Sequence, residues 1–156
     1  MKFEKLIKKI ERVIPSDQIR SLQDIIVYQD PDGKYQLFET YSIEKVDDLF
    51  IVSGIRLAKN LTFSVLKNAV TWCTYDKRNR IQESNEILTL DHKLNRINSD
   101  ISIRQLMAKK AKNPDDKLIY IAKIGEDKIK RKQMTERLDG YIRESRNWQI
   151  KRLSKS

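Results

Sequence analysis

Two serines stand three residues ahead of a lysine, Ser42 before Lys45 and Ser64 before Lys67. Some serine hydrolases use that spacing to activate a hydroxyl. The histidine His92 and the cysteine Cys73, one of each in the chain, are the other candidates for nucleophilic or acid–base work. Each has a plainer reading. A Ser-x-x-Lys spacing that occurs twice in a short polar-rich chain is what chance supplies, and Ser64 falls in the first turn of an expected core helix. His92 has Asp91 beside it, but adjacent helical residues do not face each other. Cys73 belongs to an apolar stripe, where burial raises a thiol pKa and leaves it inert. One cysteine excludes an internal disulfide, and one cysteine with one histidine is too small a set for a common structural zinc site. The chain has no Gly-rich phosphate loop, dinucleotide fingerprint, His-Glu-x-x-His pattern or nucleophile elbow. No two acids stand together in an apolar setting that would raise a carboxyl pKa. These residues point away from catalysis, and no cofactor or metal is expected.

Charge carries more information. The formal net charge of +10 is unevenly placed: residues 1–60 balance to zero, residues 61–103 carry +1, and residues 104–156 carry +9. Such asymmetry implies a one-sided positive field. Three groups supply it. Lys77, Arg78 and Arg80 follow directly on an apolar helix, Lys109, Lys110 and Lys112 close a long helical pattern, and Lys128, Lys130, Arg131, Lys132 and Arg137 form the densest run. Cations in such numbers hold a phosphate backbone by electrostatics and counterion release without reading bases. No recognition-helix motif, zinc finger or RNA-binding signature is present, so either DNA or RNA would satisfy the contact. Tyr75, Tyr141 and Trp148 could stack on exposed bases, but Tyr141 and Trp148 sit on an apolar helical face with Met134 and Leu138, which suits packing or a protein interface better. The expected function is therefore a non-enzymatic basic binding and assembly module that contacts nucleic acid non-specifically. The alternatives are a structural or assembly protein using its helical faces alone, with self-association or a protein partner, and an enzyme of unidentified type.

These side chains must be held by a fold that the hydrophobic pattern outlines. LTFSVLKNAVTWCTY over 61–75 has one charge in fifteen residues. On a helix, Phe63, Leu66, Val70 and Cys73 form one apolar stripe, and Val65, Ala69 and Trp72 form an adjoining one. That pattern predicts a central core helix over 62–76 with Thr62 as its N-cap, covered on more than one side. Before it, KFEKLIKKIERVI over 2–14 reads as an amphipathic helix lying on the domain, stopped at Pro15, and residues 16–22 read as a short connector or a helical turn. An antiparallel β-meander is expected over 25–53. Its strands are 25–28, 34–41 and 49–52, with the turn Asp30-Pro31-Asp32-Gly33 and a reversal at Asp47-Asp48.

Beyond the central helix, Ile87, Leu90, Leu94, Ile97, Ile101, Arg104, Ala108 and Ala111 recur at spacings of three and four. They predict a helix over 81–112, either one arm of an intramolecular antiparallel pair or a weak self-associating coil. Asn113-Pro114-Asp115-Asp116 starts a second long helix to about 150, with a loose tail over 151–156. LIYIAKIG over 118–125 is apolar at nearly every azimuth and leaves helix and strand both open. If the helix is continuous, the face of Leu118, Ile121, Ala122 and Ile129 lies nearly opposite that of Met134, Leu138, Tyr141 and Trp148. The fold class is α+β and mostly helical, a meander packed against a central helix and a long helical pair. At 156 residues one domain is expected. No apolar run is long enough to span a membrane, and an intracellular, non-secreted protein is expected.

Overall fold

The computed structural model describes residues 19–22, 25–38 and 40–154, and the helix expected over 2–14 lies outside them. Among the described residues six strands precede three helices: β1 (Ile19–Leu22), β2 (Ile25–Gln29), β3 (Tyr35–Leu37), β4 (Tyr41–Val46), β5 (Leu49–Gly54), β6 (Leu61–Phe63), α1 (Leu66–Lys77), α2 (Ile81–Lys110) and α3 (Pro114–Ser154). The fold is α+β, an antiparallel sheet packed against a central helix and a long antiparallel helical pair.

The strands lie in chain order, each antiparallel to the next. Turn chemistry fixes two of the reversals. Gly33 takes φ +87 and donates its N–H to the Asp30 carbonyl at 3.0 Å, while Asp30 Oδ1 accepts from the Lys34 N–H at 2.9 Å. Between β4 and β5, Val46 pairs with Leu49 across two residues, and Asp47 takes φ +56, a conformation that aspartate tolerates. The strand expected over 34–41 divides at Phe38, which takes φ +53, an outlier for a bulky residue. That break turns the Phe38 ring toward Trp148, with centroids 5.8 Å apart.

The sheet is longer than the sequence implied at both ends. Residues 19–22 pair with β2 rather than forming a connector. Residues 61–63 pair with β5 rather than opening the central helix, so Thr62 is not an N-cap. Phe50 sits opposite Phe63, and Phe63 is fully buried. Aromatic and β-branched residues suit a pleated surface, and two side chains of α2 hold the chain extended here. The His92 ring nitrogen Nε2 lies 2.7 Å from the Thr62 carbonyl oxygen. The Asp91 carboxylate accepts from the Ser64 N–H at 2.9 Å, the Ser64 hydroxyl at 3.1 Å and Asn68 Nδ2 at 2.8 Å. The helix then begins at Leu66, and every residue from Asn68 to Tyr75 is buried.

Leu37, Tyr41, Ile43, Val52 and Phe63 of the sheet meet Ala69, Val70, Trp72, Cys73 and Tyr75 of α1. Ile87, Leu90, Leu138 and Ile142 of the helical pair close the same core. The α2–α3 junction follows its sequence signals: the Asn113 side chain accepts from the Asp115 N–H at 2.9 Å, with Pro114 at the first helical position. From there α3 runs unbroken to Ser154, past its expected end near 150, and its apolar residues over 118–125 are helical.

Two tyrosines carry buried rings and donate to carboxylates, Tyr41 to Asp76 and Tyr75 to Glu144 Oε2, the latter at 2.8 Å. Burial first, then the neighbouring carboxylate, pushes both hydroxyls well above the usual tyrosine range. Their protons are held more tightly in the folded than in the unfolded chain. The stability they contribute is therefore complete below about pH 10 and is lost as pH rises through the folded values. In an alkaline titration followed at 295 nm, these two of the six tyrosines should ionise only with the loss of near-ultraviolet circular dichroism. Smooth ionisation of all six on a folded chain would contradict this.

Candidate nucleic-acid interface

The basic residues divide by what surrounds them. At the end of α1, Asn79 takes φ +58, the Asn79 N–H bonds the Asp76 carbonyl at 3.0 Å, and the Arg80 N–H reaches back to the Tyr75 carbonyl at 2.9 Å. This is a Schellman closure with asparagine in the left-handed position. It aims Arg78 and Arg80 inward. The Arg78 guanidinium lies 5.4 Å from the Tyr75 ring centre, 5.4 Å from that of Trp148 and 3.6 Å from Glu144. Arg80 bonds Glu83 through Nε at 2.9 Å and Nη2 at 2.6 Å, and reaches Glu144 at 3.4 Å. The pairing with Arg80 holds Glu83 below the usual carboxylate range. Arg152, on the last turns of α3, stacks over both Phe38 and Trp148. Arg78 and Arg80 thus belong to an arginine–aromatic cluster that fastens α3 to α1 and the sheet, while Lys77 beside them is exposed.

Arg131 and Arg137 are also engaged. Arg131 donates to Asn98 Oδ1 at 3.2 Å, and Arg137 pairs with Glu86, which also accepts from Tyr141. The arginine bond, with help from the Tyr141 hydroxyl, holds Glu86 below its ordinary value. Lys109, Lys110, Lys112, Lys128, Lys130 and Lys132 differ. All six are exposed, and none is in an ion pair among the described residues. At 3.6 residues per turn, Lys128 and Lys132 share one flank of α3, Lys130 falls on the other, and Arg131 between them turns toward α2. The densest run in the sequence is therefore split by the helix into two flanks. It continues toward Lys109, Lys110 and Lys112 at the hairpin tip.

The face of Met134, Leu138, Tyr141 and Trp148, expected to serve packing or a protein interface, is filled from within. Leu138 is core, Met134 and Tyr141 pack against it, and Trp148 stacks on Phe38. Its seam continues down α3 through Arg131, Asp127, Ile124 and Tyr120, all at least half-covered, and Asp127 pairs with Arg104 of α2. The arginine that interrupts the apolar repeat of α2 therefore has its acid on the opposite arm. The apolar set that is exposed includes Leu118, Ile121 and Ile129 of the opposite face and extends beyond what sequence reasoning singled out. Leu118, Ile119, Ile121 and Ile129 of α3 and Ile103, Leu106 and Met107 of α2 are 44% to 63% exposed. The available signal was the run over 118–125, apolar at every azimuth when one helical arm can cover only one side.

Neither Ser-x-x-Lys spacing assembles a catalytic pair. Ser64 precedes α1 and gives its hydroxyl to Asp91, and Ser42 and Lys45 lie three apart on β4, hence on opposite faces. Cys73 is fully buried and its thiol is pushed up by desolvation. Among the described residues no three metal-capable side chains gather, and no helix is long and apolar enough to cross a membrane. Compared with known protein families, curated proteins and solved structures, the chain matches none of them.

Proposed function

We propose that this chain is a non-enzymatic, intracellular basic binding and assembly module that contacts nucleic-acid phosphate without reading sequence, through the lysines of the α2–α3 hairpin. One observation carries this reading: the arginines near the core are occupied by carboxylates, amides and rings, whereas the hairpin lysines are exposed and unpaired among the described residues. Lysines in that state keep counterions that a polyphosphate can displace. The exposed isoleucines, leucines and methionine on the same hairpin favour a second activity beside the first, contact with a protein partner or a further copy in a nucleoprotein assembly.

Fluorescence anisotropy with labelled single-stranded and duplex DNA and RNA tests the first reading. With six phosphate contacts, affinity should fall by about 10³-fold between about 50 and 200 mM salt. Changing Lys109, Lys110 and Lys112 together to Gln should weaken binding at the lower salt by at least about tenfold and halve the salt slope. Arg78→Gln should leave the slope unchanged. Absence of binding to every one of these nucleic acids at low salt would sink the reading. A light-scattering mass on the same sample reads self-association independently.

A further inference from the structure

Among the described residues, Leu94 and Met134 are the last positions toward the tip where the α2–α3 hairpin packs on the main core. Beyond them α3 turns Tyr120, Ile124, Asp127 and Arg131 toward α2. Its opposite side carries Leu118, Ala122, Gly125 and Ile129, at spacings of four, three and four, and all four are exposed. Ile119 and Ile121 flank this stripe, and the leucine and three isoleucines are 50% to 63% exposed. The spacing is that of a coiled-coil seam, which one further helix covers.

Three features identify that helix. The stripe runs large, small, small, large in either direction. Two copies laid antiparallel set Leu118 against Ile129 and Ala122 against Gly125, and the contacts repeat about a two-fold axis, as an isologous interface requires. The small residues fall at the crossing point, and the large ones lie where the axes diverge. Gly125 serves nothing inside the chain, since a Cβ there would meet no atom within 4 Å. Glycine weakens a helix relative to alanine, and its missing side chain is what lets a second backbone approach. Charge agrees with the same register. Asp115 and Lys130 share one flank of the stripe, and neither is in an ion pair among the described residues. In an antiparallel pair like flanks meet, so Asp115 of each copy comes within a turn of Lys130 of the other. In a parallel pair the two would lie about four turns apart.

We infer that this stripe of α3 joins two copies of the chain as an antiparallel pair crossing at Ala122 and Gly125. The inference rests on the reading of the hairpin as an assembly surface and names its partner. Lys128 and Lys132 occupy the other flank, so the two-fold axis places both copies' pairs on one side, within reach of a single phosphate backbone. A stripe of about three turns buries less than the roughly 800 Å² per partner of a standard interface, so a dimer with Kd on the order of 10–100 µM is expected.

The test is sedimentation equilibrium of the full chain, without nucleic acid, from about 5 to about 500 µM, which brackets that Kd. Asp115→Lys and Lys130→Glu should each weaken the dimer roughly threefold to tenfold. An equimolar mixture of the two variants should recover the original affinity, because each copy then supplies the charge that the other needs. Gly125→Gln should weaken the dimer at least about tenfold by filling the crossing point. Its far-ultraviolet circular dichroism should not change, since the single chain has room for the side chain. A mass of one chain at the highest concentration would overturn the inference together with the assembly half of the function proposed above. A dimer that all three variants leave unchanged would overturn the inference alone, because the contact would then lie elsewhere. A mixture no tighter than its components would overturn the antiparallel register. The anisotropy titration reads phosphate contact independently of all three.

Discussion

Asp91→Ala is expected to destabilise the chain by about 3–5 kcal/mol, the range for breaking a buried charged network, as read by urea denaturation. The carboxylate is fully buried and accepts three hydrogen bonds, two from Ser64 and one from Asn68. Removing it orphans the Ser64 N–H and the Asn68 amide. It also removes the negative charge nearest the N-terminus of α1. Asp91→Asn keeps one acceptor oxygen but turns an NH₂ toward donors, so a loss of about 1–3 kcal/mol is expected. Ser64→Ala and Asn68→Ala should each be non-additive with Asp91→Ala, since they share the network. A cost below about 1 kcal/mol for Asp91→Ala would mean that Asp91 is not what holds the β6–α1 junction.

The second large effect has an unusual sign pattern. Arg104 and Asp127 pair across the hairpin seam, flanked on α2 by the buried Ile101 and Ala108. Arg104→Leu alone leaves the Asp127 charge largely buried without a partner, and a loss of about 2–4 kcal/mol is expected. Asp127→Leu alone should cost less, since Arg104 is the more exposed partner and can reach water. The double Leu variant should recover the whole loss and gain up to about 1–3 kcal/mol, because packed apolar groups avoid the desolvation of two ions. The gain should come with a less unique register of α2 against α3, seen as broadened amide signals of the hairpin. A double variant as unstable as the worse single one would exclude this account.

What the sequence disclosed was local. The turn at Asp30-Pro31-Asp32-Gly33, the start of α3 at Pro114 and the seam of α2 each depend on neighbours within a turn or two, and each stands where its signals place it. The burial of α1 was legible too, because LTFSVLKNAVTWCTY leaves no polar side. Its starting point was not. Whether residues 61–63 are helix or strand is decided by Phe50 and by Asp91, which holds Ser64 from 27 positions later. Phe38 breaks its strand against its own backbone preference, and its reason is Trp148, on the last helix.

The interface was half-legible for the same reason. Composition located the positive charge in the last third, but which cations are free depends on Glu86, Asn98 and Glu144, each on a different helix from the cation it holds, and on Glu83 three residues after Arg80. The face of Met134, Leu138, Tyr141 and Trp148 was read as apolar and suited to packing or a protein interface, and inside the chain it packs on the core. Periodicity reports that a face is covered, not by what.

The 41 residues of α3 form one uninterrupted helix, about 60 Å long at about 1.5 Å per residue. One end is clamped by Phe38, Arg78 and Trp148, and the other carries the apolar and lysine-bearing tip. With no proline or break between them, the helix is a lever with its fulcrum at the core. A tilt of about 5° at the clamp moves the tip by about 5 Å over that length. Whatever loads the tip is therefore felt at the sheet, and small repacking around Trp148 is read out far away as displacement.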